Sequence, residues 1–277
     1  MHSNFTEINL LENSINDKGL ITKLKNQLER KNIFLTFGAE IECYFTPELK
    51  LDIINQKSKQ KFIKERGVNQ YEYHIHHSEK IEDFIKNIKN SINNNKEKFQ
   101  ENVMFNPKPF KNDYGNALQI QFTSTSKLFQ DNIDKICFVL CFYTNSIFQV
   151  IAPTKADYAR FSEKFMAPTH ISYGLNNRSC VYRITGNQDL KRIELRAPSI
   201  NSNLTLTLAF IYICTNIALK NSTDYNLSNK EFYDPNLTYR NRIYGNASDA
   251  QYNLPALPQC LKKSQELFNK NFWADFF

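Results

Sequence analysis

Four segments of this chain alternate, with a two-residue period, between apolar side chains and side chains that carry charge or make hydrogen bonds. That period constrains the fold more than any other feature. In FGAEIECYF, Phe37, Ala39, Ile41 and Cys43 alternate with Glu40 and Glu42. In QYEYHIH, Tyr73 and Ile75 alternate with Glu72, His74 and His76; in ALQIQFT, Leu118, Ile120 and Phe122 alternate with Gln119, Gln121 and Thr123. In KRIELRA, Ile193 and Leu195 alternate with Arg192, Glu194 and Arg196. Successive side chains of a strand point to opposite faces. Such strands describe a sheet whose apolar back packs on helices and whose polar front holds a site.

The charges on that front are of two kinds. Glu40 and Glu42 share a strand face, and Glu65 and Glu72 follow in KERGVNQYE; like charges so placed need a cation. Arg178 and Arg183 lie just upstream of Arg192 and Arg196. Guanidiniums gathered on one face repel one another unless an anion sits among them, and phosphate oxygens suit their planar, bidentate donors. The plainer alternative is a solvated strand with ordinary ion pairs. A histidine ligand is the less specific reading for His74, His76 and His77, and a structural hydrogen bond the expected role for His170.

The chain has 277 residues with 41% hydrophobic content, enough for one large domain with a substantial core. A net charge of +7 favours anionic ligands, but the lysines are dispersed along solvated helices such as KIEDFIKNIKNSINNNKEKFQ, so no nucleic-acid stripe is expected. In that helix Ile81, Phe84, Ile85 and Ile88 form the buried face, and the run Asn93-Asn94-Asn95 reads as its end or a turn. The cysteines Cys43, Cys137, Cys141, Cys180, Cys214 and Cys260 show neither zinc spacing nor a small disulfide framework; the expectation is buried free thiols and a cytoplasmic location. LTLTLAFIYICTNIAL is short for a membrane span and rich in Thr and Asn, so it reads as a buried central helix with Asn203 as its cap, and no membrane is expected as a partner. Before Phe37, a turn at Asp17-Lys18-Gly19 and the helical spacing of Ile21, Leu24 and Leu28 predict one leading helix.

Taken together, the segments resemble the catalytic domain of the glutamine synthetase family of carboxylate–amine ligases. FGAEIECYF resembles the family's first metal strand, and KERGVNQYE its paired-glutamate loop. FNPKPF with GNALQIQFTS resembles the lysine-proline and metal-histidine segments, APTHISYGLNNRS the asparagine-arginine stretch, KRIELRAPSINSNLTLTLA the glutamate-arginine strand with its helix, and LPALPQCLKKS the closing helix. The resemblance runs from about Phe37 to the end. It implies an α+β fold with a curved, mainly antiparallel sheet backed by helices that include 136–150 and 204–220. Residues 1–36 are then a helical extension and 37–277 the catalytic domain.

It also implies residue roles. Glu42, Glu65 and Glu72 would hold one divalent cation, Mg2+ or Mn2+, and Glu40, Glu194 and Gln119 a second. Arg178 and Arg183, with Glu194, would serve phosphoryl transfer from ATP. Arg160, Arg196 and Gly115 would bind the carboxylate substrate, glutamate or a similar acid. Arg192, Gln121 and Thr123 would contact the nucleotide.

Several positions depart from the family pattern. Gln119 and Gln121 stand where histidines are usual, although an amide oxygen remains a hard, neutral donor for magnesium. Met166 stands where a flap glutamate helps take a proton from ammonium. A thioether cannot accept that proton at useful strength, so an amine larger than ammonia is the expected co-substrate. The residues before Phe37 leave no room for the small β-domain usual in the family, which bears on the homo-oligomer the resemblance implies. Three function classes follow: an ATP-dependent ligase forming an acyl phosphate that an amine displaces, a catalytically silent nucleotide or glutamate sensor, and a phosphotransferase forming an acyl or guanidino phosphate.

Overall fold

The computed structural model describes residues 2–17, 19–220, 238–268 and 272–273. Its centre is an eight-stranded sheet. The strands are β1 (Thr36–Phe45), β2 (Phe62–Lys64), β3 (Gln70–Ser78), β4 (Val103–Met104), β5 (Leu118–Thr123), β6 (Tyr173–Leu175), β7 (Tyr182–Gly186) and β8 (Lys191–Leu195). They run in the order β2-β3-β1-β5-β8-β7-β6, with β4 pairing to β1. Every pairing is antiparallel except β6 with β7. The expected α+β architecture is therefore present.

Register carries the two-face pattern across the sheet. Glu42 lies opposite Glu72, Glu40 opposite both His74 and Gln119, Gln121 opposite Glu194, and Glu194 opposite Arg183. Directly opposed residues share a face, so the polar positions of β1, β3, β5, β7 and β8 form one continuous surface. The alternate positions, among them Phe37, Ile41, Ile120, Phe122, Ile184 and Ile193, are buried behind it.

The back is covered by helices α4 (Ile81–Phe99), α6 (Ile133–Phe142), α7 (Thr144–Ile151) and α9 (Leu204–Ala218). Phe37 joins the layers, its ring 5.6 Å from Tyr212 of α9, 5.9 Å from Phe84 of α4 and 6.3 Å from Phe122 of β5. α9 is buried along its length because neighbours surround it, and Asn203 caps it by accepting from the Leu206 N–H at 3.0 Å. Among the described residues no single helix is long and apolar enough to cross a membrane.

Three expectations change. The helix expected over 136–150 is broken: α6 and α7 meet at 74° around Tyr143. The Leu140 carbonyl accepts from the Thr144 hydroxyl at 2.9 Å and the Tyr182 hydroxyl at 3.2 Å, so side chains satisfy the group that a bend leaves exposed. The run Asn93-Asn94-Asn95 lies inside α4 instead of ending it. Asn95 is buried there, donating to the Ser91 carbonyl at 2.9 Å and accepting from the Ser58 hydroxyl at 3.1 Å, and packing of Ile92 and Phe99 overrides the weak helix preference of asparagine. Ahead of Phe37 there are two helices, α1 (His2–Asp17) and α2 (Leu20–Glu29). Lys18 of the expected turn lies outside the described residues, and Gly19 takes φ 56, a left-handed conformation that glycine adopts without strain. α2 packs Leu20, Leu24 and Leu28 into the common core, and Glu12 of α1 accepts from the Asn203 amide at 2.6 Å. Of the cysteines, Cys43, Cys137, Cys141, Cys180 and Cys214 are buried and free, while Cys260 is exposed.

Candidate active site

The front of the sheet is a field of carboxylates flanked by guanidiniums. Glu42, at the centre, accepts from the Ala117 N–H at 2.8 Å and from the Gln119 amide at 2.7 Å. Burial and the nearby Glu65 and Glu72 push its pKa up to about 7, against the opposing pull of the Ala117 hydrogen bond. Glu40 accepts from the Gln121 amide at 2.5 Å, and its pKa is also pushed up to about 7, by burial and then by Glu194 and Glu72. Glu65 is raised by burial and by Glu72. Glu72 holds His74 at 3.2 Å, and that hydrogen bond is the main reason the imidazole is raised above its usual range.

Glu194 is buried at 1% exposure between two arginines. Arg183 Nη1 donates to Oε2 at 3.3 Å. Arg196 Nε lies 3.1 Å from Oε1 as an ion pair outside hydrogen-bond geometry, leaving that oxygen without a hydrogen-bond donor. Arg160 is the more unusual cation. It is 2% exposed, donates to the Ala197 carbonyl, and stacks 4.5 Å over the Phe161 ring. Among the described residues no carboxylate lies within ion-pair distance of it, Asp157 being hydrogen-bonded to Thr154 and Asn201, and burial lowers its pKa to about 10. The Arg196 pKa is lowered by burial as well, though Glu194 opposes this.

Arg160 and Arg196 line one cleft together with Glu42, Glu65, Gln119, Gly115 and Arg178. Gly115 is packed so closely that an added Cβ would stand 2.4 Å from the Arg160 Cβ and 2.8 Å from the Pro107 carbonyl. Only a residue without a side chain fits the wall at that point. Arg178 is presented by a loop organised by Asn177, whose amide donates to the Gly245 carbonyl at 2.7 Å and whose oxygen accepts from Ser179. Arg192 stands opposite Thr185 at the far end of the face. Thr123 lies at that end too, with its hydroxyl engaged by the Lys191 carbonyl at 2.6 Å.

The structure thus brings the sequence-derived residues onto one surface, with two differences in detail. Gln119 leans to Glu42 and Gln121 to Glu40, diagonally to the partner each faces in register. A shift in the pairing of β1 with β3 between Phe37 and Ala39 brings His77, and not His76, over Gly38, where an added Cβ would be 2.7 Å from the imidazole. Burial and Arg192 lower the His77 pKa. The cleft also includes residues that the sequence did not single out, among them Arg66, Gln70, Tyr114 and Phe165. Gln70 sits in the glutamate loop and donates to the Gly115 carbonyl at 2.9 Å, so its proximity to Glu72 was the available signal.

Among the described residues, no group of three His, Cys, Asp or Glu side chains is gathered as a ready-made metal site. The donor set nevertheless fits a hard divalent cation. Burial, and after it the neighbouring carboxylates, raise the pKa of Glu40 and Glu42, a field that a cation would relieve, and a half-turn of the Gln119 amide presents oxygen in place of nitrogen.

The comparisons with known proteins agree with this geometry. The model of the glutamine synthetase catalytic domain matches residues 48–277, and the chain belongs to that family. The match begins after β1, so Glu40 and Glu42 are joined to the family segments by strand register alone. The glutamine synthetase of Aquifex aeolicus (strain VF5) is 27% identical over 123 residues, 43% of this chain and 24% of that protein. Two solved structures share the fold at 17% identity: GmaS in complex with ADP (conformation 1), at TM-score 0.64 over 90% of this chain and 66% of that one, and GmaS without ligand, at 0.67 over 93% and 68%. The chain therefore covers about a quarter of the Aquifex protein and about two thirds of GmaS.

Proposed function

We propose that this protein is an ATP-dependent carboxylate–amine ligase that activates glutamate or a similar acid as an acyl phosphate and joins it to an amine. The observation that carries the reading is Arg160, a buried guanidinium lining the cleft that has no ion-pair partner among the described residues. A buried cation is costly unless paired, and an acidic substrate reaching Arg160 and Arg196 past Gly115 would supply the missing charge. Family membership and the ADP complex of GmaS support ATP as the phosphoryl donor.

In this reading the carboxylate held by Arg160 and Arg196 attacks the terminal phosphorus of ATP, and Arg178 and Arg183 stabilise charge spreading over the transferred group. Glu194 orients Arg183 and Arg196 from behind, since it touches both. Arg192, Gln121 and Thr123 are the nucleotide side of the face. Glu42, Glu65 and Glu72, and Glu40, Gln119 and Glu194, would hold Mg2+ or Mn2+, which when bound would neutralise the phosphate oxygens. The buried thiols support a reducing, cytoplasmic setting, and a homo-oligomer is proposed on family resemblance.

The test is ADP release from ATP and Mg2+ with glutamate, with hydroxylamine to trap the acyl phosphate as a hydroxamate, beside Glu194→Gln. Glutamate-dependent hydroxamate lost in the variant is the expected result. Nucleotide binding by calorimetry without turnover would replace this reading with the sensor. The amides of Gln119 and Gln121, lying on Glu42 and Glu40, favour that second reading.

A further inference from the structure

The proposed ligase leaves its second substrate open, and the part of the cleft around Met166 bears on it. Met166 is one of few non-glycine residues with a left-handed backbone, at φ 53, a conformation disfavoured for a side chain of its size. Its carbonyl lies 3.4 Å from Arg196 Nη1, and its sulfur lies 2.7 Å from Arg66 Nη1. The Arg66 guanidinium therefore lines the same cleft as Arg160 and Arg196, at the Met166 end.

Arg66 is held there by a pinned loop. The Arg66 N–H donates to Glu65 at 3.0 Å, the Gly67 N–H to Gln70 at 3.1 Å, and the Val68 N–H to Asp113 at 2.9 Å. Gly67 packs so tightly on the Tyr44 hydroxyl that a Cβ there would be 2.1 Å from it. Among the described residues no carboxylate is within ion-pair distance of the Arg66 guanidinium, and the neighbouring Glu65 accepts from the Arg66 backbone N–H. Two more cations stand on the same lip: Lys108 Nζ is 3.8 Å from the centre of the Phe165 ring and Lys164 Nζ 5.4 Å from it. Two carboxylates stand on the lip as well: Asp113, which accepts from the Val68 and Tyr114 N–H groups, and Glu163 on the turn that carries Met166.

The cleft as a whole, lined by Arg66, Arg160, Arg178 and Arg196 against Glu42 and Glu65, disfavours ammonium, alkylammonium and polyamine cations. It attracts an anionic group carried beside an amine, and a neighbouring guanidinium also disfavours the protonated form of that amine. With a thioether in place of a proton-accepting residue, an amine that arrives uncharged is what such a site can use. We infer that the acceptor is an amino acid, its carboxylate recognised by Arg66 at the Met166 lip and its free amine directed at the acyl phosphate. This inference rests on the proposed ligase reading and narrows it. The amine lone pair forms the C–N bond to the acyl carbon, the C–O bond to phosphate breaks, inorganic phosphate leaves with the bonding pair, and the amine proton passes to the departing phosphate.

The experiment compares matched acceptors, glycine with methylamine and β-alanine with ethylamine, together with putrescine, in glutamate-dependent ADP release by the full chain with ATP and Mg2+. Each rate is divided by that enzyme's hydroxamate rate, and Arg66→Gln and Arg66→Glu are run alongside. The expected result is a kcat/KM for glycine at least about tenfold above methylamine, diminished in Arg66→Gln and reversed in Arg66→Glu. Methylamine or putrescine used as well as glycine by the unmodified protein, or a preference that neither variant moves, would overturn the inference while the ligase stands. Absence of hydroxamate under every condition would instead remove the ligase reading, and this inference with it.

Discussion

Replacing Glu42 by glutamine is expected to stabilise the metal-free protein above neutral pH. The folded protein raises the Glu42 pKa from 4.5 to about 7, chiefly through burial. A carboxyl whose folded pKa lies above its unfolded value binds more protons in the native state, so native stability falls as pH rises between those two values and levels off beyond about 7. At about 1.4 kcal/mol per pH unit the full shift corresponds to about 3 kcal/mol; because the side chain keeps partial contact with solvent, about 1 to 3 kcal/mol is the expected gain. The environment can accommodate the amide: its oxygen can accept from the Ala117 N–H, and its nitrogen can donate to a Gln119 amide turned by half a rotation. Urea unfolding at pH 5 and pH 8 with chelator present measures the gap, which should be small at pH 5 and open at pH 8. Adding Mg2+ at pH 8 should narrow it, by stabilising the unmodified protein alone. An equal gap at both pH values, or a less stable variant at pH 8, would refute the argument that the ionised Glu42 is disfavoured in the fold.

Two further outcomes follow from the packing. Gly115→Ala places a methyl group 2.4 Å from the Arg160 Cβ and 2.8 Å from a backbone carbonyl, so it should cost about 1 to 3 kcal/mol in denaturant unfolding and raise the apparent KM for glutamate. Asn203→Ala removes the acceptor for the Leu206 N–H and a donor to Glu12; unfolding should show a loss of about 1 kcal/mol with hydroxamate formation per folded molecule retained.

Legibility in the sequence divided along a physical line. The alternation of β1, β3, β5 and β8, the cap at Asn203 and the turn glycine at Gly19 are properties of neighbouring residues, and local spacing revealed them. The candidate site residues on those strands were legible for the same reason. The bend at Tyr143 was not, because it depends on Tyr182 reaching Leu140 across the sheet. Nor was the place of Asn95, whose partners Ser58 and Gln60 come from a separate segment. His77 required the irregular pairing of β1 and β3 before it could stand over Gly38.

By itself the sequence determined which side chains share a strand face and that carboxylates and guanidiniums would meet on one sheet, since the period of two is set by the backbone alone. Only the tertiary structure decided that Arg160 is buried without an ion-pair partner among the described residues and that Arg66 meets Met166, 100 positions away. Charge pairing depends on distances of a few ångströms, and strand register and loop packing set those distances.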